Sequence, residues 1–209
     1  MKKVTIILIL LTAFSFSEEI ELPGLGVYIG GVMGNVAGDD VDALDPAMSL
    51  SGPMLGFSYL TMAGPLPVFL GGGLGARSYT YEDAASGDDW CTSFRYLDLW
   101  ATMPYPISDD LSIYGGVLLG MPLSGSIKKG DADAVDLADA EIPDGPEFSL
   151  VFGLGYTLPF CNNALGVNFG YALGITELEA EVNGMNADGV KNWTQNGLFF
   201  TLNYDVPGM

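Results

Sequence analysis

Acidic side chains dominate the residues of this chain that could do chemistry. Its 209 residues include 26 Asp and Glu, 7 Lys and Arg, no His and two Cys, for a formal charge of −19. The carboxylates cluster. Asp39, Asp40, Asp42 and Asp45 form one group, and Asp131, Asp133, Asp136, Asp139, Glu141 and Asp144 a second. Hard oxygen donors suit Ca²⁺ or Mg²⁺, and Asp131, Asp133 and Asp136 have ligand-like spacing. That segment lacks the turn glycine and the bidentate Glu of a calcium loop. Mutually repelling carboxylates also keep a loop solvated with no ion bound, so both readings stand, and no other cofactor is implied. The absence of His removes Ser-His-Asp and Cys-His catalysis and the commonest zinc ligand. Cys91 and Cys161 show no metal-site spacing. A surface this acidic repels nucleic acid. An enzyme needs a nucleophile, or a paired acid and base, in a pocket. Here the acid pairs fall in segments that read as loops, and the expectation is no catalysis.

Three further charges stand apart because they sit inside apolar stretches: Arg77, Arg95 and Asp98. The elements that carry them explain why. The chain is 49% hydrophobic, yet beyond the N-terminus it has no continuous apolar 20-mer, which excludes helical membrane spans. Apolar, glycine-containing segments recur instead at 25–37, 51–62, 68–81, 92–103, 111–127, 147–158, 164–179 and 195–206. Most reach the ~9–11 residues of a tilted transmembrane strand. The connections alternate in length. Short ones, rich in turn residues, lie at 63–67, 104–110 and 159–163, and long ones at 38–50, 82–91, 128–146 and 180–194. Short periplasmic turns alternating with long external loops are a property of outer-membrane barrels. The predicted fold is all-β, an eight-stranded antiparallel up-and-down transmembrane barrel. A soluble β-sandwich would show the same alternation of residues with its apolar face turned inward. Long apolar stripes and the phased loops favour the barrel.

The N-terminus begins Met1-Lys2-Lys3 and runs apolar from Val4 to Leu11, with Ser15 and Ser17 before Glu18. Basic, apolar and small-residue regions in that order predict a signal peptide over residues 1–17, leaving 18–209 as the barrel domain. Within the strands the period of two sets the faces. Phe148, Leu150, Phe152, Leu154 and Tyr156 face lipid, and Ser149, Gly153 and Gly155 face the lumen. Tyr28, Phe69, Tyr79, Tyr96, Trp100, Tyr114 and Phe199 point inward, a bulk that argues against an open channel. Arg77 and Asp98 also fall inward. Antiparallel pairing across the 82–91 loop is expected to set them opposite one another, as an ion pair that helps plug the lumen. Arg95 falls outward near the outer rim, within reach of lipid phosphates. Cys91 is expected at the outer rim and Cys161 in the last periplasmic turn. That separation predicts two free thiols or intermolecular pairing, since a disulfide needs Cα atoms within ~7 Å.

The segment Gln195-Asn196-Gly197-Leu198-Phe199-Phe200-Thr201-Leu202 resembles the C-terminal strand signal of the small eight-stranded outer-membrane barrels, the OmpA/OmpX type. Gln195, Gly197, Phe200 and Leu202 occupy its polar, glycine and apolar positions. The architectural resemblance covers roughly residues 24–206. It implies a monomer in outer-membrane lipid whose last strand is read by the barrel-assembly machinery. The chain continues through Asp205-Val206-Pro207-Gly208-Met209, where many relatives stop at an aromatic residue. Members are variously structural, adhesive, protective or enzymatic, so fold does not settle function. The leading expectation is a non-catalytic structural or surface-interaction barrel whose acidic loops meet a partner the sequence does not name. The alternatives are a small-conductance porin or solute channel and, behind it, a lipid-modifying enzyme.

Overall fold

The computed structural model describes residues 24–38, 46–82, 87–138, 142–143, 145–159, 164–179 and 191–206. The predicted leader, 1–17, lies outside them, as do Cys161 and the acidic stretch 39–45. The described chain is antiparallel sheet. Eight long strands form its wall: β1 (Leu25–Ala37), β2 (Ala47–Ala63), β3 (Leu66–Glu82), β4 (Asp89–Pro106), β5 (Leu111–Lys129), β7 (Glu147–Thr157), β8 (Leu165–Gly174) and β10 (Lys191–Asp205). Each pairs with the next. β1 pairs with β10 from Gly26↔Asp205 to Ala37↔Thr194, which closes the ring. Closure leaves no edge strand, the condition for exposing a sheet to lipid.

Alternation makes the wall two-faced. Val27, Ile29, Leu55, Phe57, Leu70, Leu74, Phe152, Phe169, Phe200 and Leu202 all point outward and are exposed. In water this face would be a severe liability; in hydrocarbon it is the solvated side. β4 has 18 residues, several more than the ~9–11 a tilted strand needs to cross. On its outward side the apolar run from Leu97 to Met103 gives way to Arg95 and Ser93, so the outer end of β4 projects beyond the apolar band.

Two departures from regular pairing fall at prolines. β2 loses register with β3 between Met48 and Leu55, around Pro53. β4 and β5 shift between Arg95 and Tyr96, where Leu123 is the extra residue beside Pro122. Proline donates no ladder hydrogen bond and is tolerated at bulges. At the first bulge a side chain replaces the missing backbone partner: Ser51 Oγ accepts from Ser78 N at 2.7 Å.

The long connections hold two short strands the sequence reading did not separate. β6 (Val135–Asp136) pairs with Ser126 and Ile127 of β5. β9 (Leu178–Glu179) pairs with Lys191 and Trp193 of β10. The predicted strand 164–179 therefore ends at Gly174, and the chain turns in to cover the outer mouth.

Candidate functional site

The bore is built in two storeys. At the outer end Val36, Tyr79, Tyr81, Phe94, Tyr96, Leu137, Leu178 and Trp193 form one buried cluster. Trp193 stacks on Phe94 with ring centres 6.1 Å apart and meets Tyr79 edge-on at 5.9 Å. Leu137 enters from the third long connection, anchored where its N–H donates to Gly125 O at 2.9 Å. Leu178 enters from the fourth. This is a hydrophobic core of the kind found in soluble domains, set inside the projecting part of a barrel. Tyr79 and Tyr96 point inward as the alternation of residues predicts, and Leu137, Leu178 and Trp193 add apolar bulk that the face assignment did not include. The wall has left the lipid, and the loops need an apolar surface to pack on.

Beneath that core lies a layer of charge. Arg77 Nη2 is 2.7 Å from Asp98 Oδ1, and Nη1 is 3.9 Å from Glu147 Oε2. The guanidinium carbon lies 3.9 Å from the centre of the Tyr96 ring, a cation–π geometry. Arg77 and Asp98 are thus brought together inside the bore, but the expected register is wrong. Arg77 pairs with Phe94 and Asp98 with Gly73, a four-residue offset. The hairpin is tighter than the sequence reading assumed, because β4 starts at Asp89 rather than residue 92. The two side chains meet diagonally. Asp98, Gly120 and Glu147 lie on one transverse row across β4, β5 and β7. The guanidinium reaches over Gly120, where a Cβ would sit 2.9 Å from Nη1 and 3.0 Å from Nη2. Glycine at 120 is the slot that lets one arginine reach two carboxylates.

Below this layer the bore widens into a cavity of about 230 Å³. Tyr28, Phe69, Trp100, Tyr114 and Phe199 supply aromatic wall, and Trp100 Nε1 donates to Tyr28 Oη at 3.4 Å. The lining runs from Glu147 and Gln195 at the deep end to Thr157, Gly166 and Asp205, which lie at the end carrying the short turns. The cavity is closed above by the charge layer and the aromatic core. Gln195 is 3% exposed, and neither its Oε1 nor its Nε2 has a hydrogen-bond partner.

The remaining predicted residues scatter. Arg95 is exposed on the outer face of β4, above the apolar band. Asp131 and Asp133 are exposed in the turn after β5, whereas Asp136 is held in β6 opposite Ser126. The extended β5–β6 pairing keeps these three carboxylates from converging. Among the described residues no group of three or more His, Cys, Asp or Glu could hold a metal ion. Phe200 and Leu202 face outward, while Gln195 and Gly197 face the bore. Cys91 lies within β4 with a free thiol, its Sγ 3.9 Å from Ser49 Oγ. Glu147 was missed as a site residue. Its parity with Ser149 and Gly153 already marked it as inward, but at a strand end it looked like part of the acidic loop.

The closed ring, its exposed apolar girdle and its filled bore define the class: a small eight-stranded membrane β-barrel. Among solved structures the chain is similar to Neisserial surface protein A, with a TM-score of 0.52 at 12% identity, over 88% of this chain and 97% of that one. It also aligns with Ail, the attachment invasion locus protein of Yersinia pestis, with a TM-score of 0.44 at 12% identity, over 88% of this chain and 99% of that one. At 12% identity the first of these likenesses speaks for the fold alone. No family model matches the chain, and no curated protein matches it by sequence.

Proposed function

We propose that this protein is a non-catalytic barrel of the bacterial outer membrane with a structural or surface-interaction role. The supporting observation is the filled outer storey. Phe94, Tyr96 and Trp193 are 0% exposed, directly above the Arg77–Asp98–Glu147 layer, so the bore is a blind cavity rather than a pore. In this reading the charge layer plugs and braces the wall and moves no proton for a substrate. Arg95 contacts lipid phosphates at the outer interface. The outward Phe200 and Leu202, with Gln195 and Gly197, carry the strand signal read during assembly, and the barrel works as a monomer. The acidic connections stay solvated, gather Ca²⁺ or Mg²⁺ diffusely rather than at a built site, and present the surface a partner meets.

Single-channel recording in planar bilayers tests this. The expected trace lacks stable openings. A stable, large conductance would overturn the plugged bore and favour the porin reading. Turnover of a lipid or peptide, abolished by changing one carboxylate, would favour the enzyme.

A further inference from the structure

The blind cavity has a composition that plugging alone does not require. Four charged residues line it: Arg77, Asp98, Glu147 and Asp205. One cation faces three carboxylates, so the interior carries surplus negative charge in a protein already at −19. Arg77 is committed to Asp98 at 2.7 Å, while its other nitrogen stops 3.9 Å from Glu147 Oε2. That is beyond hydrogen-bond distance, and the buried Tyr96 hydroxyl is the other polar group set beside this carboxylate. Ser149 Oγ donates to Glu147 Oε1 at 3.4 Å, and Oε2 is buried without a hydrogen-bond partner. Gln195, 97% buried by its 3% exposure, lines the same deep end with its amide unpartnered. Buried polar groups in this state ask for a partner. The carboxylate asks for a donor that carries positive charge, and the Gln195 amide oxygen can accept from the same donor.

The walls specify the rest of the ligand. Tyr28, Trp100, Tyr114 and Phe199 present aromatic surface to the middle of the cavity. Such surface takes an apolar body and favours a nearby cation through the ring faces. Benzene fits an engineered cavity of ~150 Å³, so about 230 Å³ takes a molecule of roughly ten heavy atoms. Asp205, Asn203 and Asn168 keep the mouth polar at the turn end.

We propose that the turn-side cavity is a binding site for small amphipathic organic cations, primary amines with an aromatic or aliphatic body. The ammonium seats between Glu147 and Gln195, and the body lies against Trp100 and Phe199. The site opens to the periplasm, so the ligand enters and leaves on that side without crossing the barrel.

The test uses the full refolded protein in detergent micelles and again in nanodiscs. Three probes of one shape are titrated: phenethylamine, phenethyl alcohol and 3-phenylpropionate. Binding is followed by calorimetry, with tryptophan emission excited at 295 nm as a second signal to which Trp90, Trp100 and Trp193 all contribute. The amine is expected to bind at least tenfold tighter than the alcohol, and the acid not at all. Glu147→Gln should bring amine affinity down to that of the alcohol measured on the same variant. Thr157→Trp, at the mouth, should weaken all binding while heat-modifiable gel mobility confirms a folded barrel. Equal affinities for amine and alcohol, or full amine binding by a folded Glu147→Gln variant, would overturn the proposal. So would amine binding in micelles that disappears in nanodiscs.

Discussion

Gly120→Ala is a one-carbon perturbation whose sign depends on a residue two strands away, Arg77 on β3. The new Cβ would lie 2.9 Å and 3.0 Å from the Arg77 guanidinium nitrogens and 3.0 Å from Tyr96 Cδ1. A free arginine tip would swing aside at little cost. This one is held by Asp98 at 2.7 Å and by the Tyr96 ring at 3.9 Å. Overpacking of this kind costs ~1–3 kcal/mol. Replacing Gly by Ala in a strand returns ~0.5–1 kcal/mol of backbone entropy. The net expectation for Gly120→Ala alone is a loss of about 1–2 kcal/mol. In an uncharged background, Arg77→Ala with Asp98→Asn and Glu147→Gln, the clamp is gone. The same substitution should then be neutral or stabilising by up to ~1 kcal/mol. The assay is urea unfolding in lipid vesicles, followed by tryptophan emission with gel mobility as an independent measure of folding. An equal effect in both backgrounds would refute the slot.

Other expectations follow from the same geometry. Arg77→Ala and Asp98→Ala should each cost several kcal/mol, and the double change less than their sum, as for a buried pair at ~3–5 kcal/mol per broken partner; additive losses in unfolding would mean the two are not coupled. Trp193→Ala removes the stacking partner of Phe94 and should cost ~3–5 kcal/mol in the same unfolding assay. A loss below ~1 kcal/mol would mean the outer core is not packed. Arg95→Ala should be near neutral in zwitterionic vesicles and cost roughly 1 kcal/mol in vesicles with anionic headgroups; no dependence on lipid charge would place Arg95 away from the interface.

Period-two alternation made the wall legible in the sequence, because every wall strand has one face in lipid and one in the bore. The runs Phe148–Tyr156 and Leu165–Leu173 state both faces outright. The projecting outer ends were harder. Leu137 and Trp193 lie in segments whose polarity marked them as loops, and Leu178 at the end of a segment that read as continuous strand; Trp193 is instead on β10, and Leu137 and Leu178 are carried inward where β6 and β9 pair with β5 and β10. The inward parity of Arg77 and Asp98 was readable, but their contact depends on a diagonal that no face assignment contains. It rests on Gly120 and Gly75, whose missing Cβ atoms clear the path for the guanidinium and for the Asp98 carboxylate. Gln195 was legible as a strand-signal residue, while its place in the cavity depends on how β10 closes against β1 and β8.

The central claim is that the apolar girdle is a lipid contact and the charge layer an interior. Fractionation of cells producing the full chain, with gel mobility compared before and after boiling, tests it most directly. The account predicts a protein that sediments with the outer membrane and migrates faster unboiled than boiled. Recovery as a soluble periplasmic protein with unchanged mobility would contradict it.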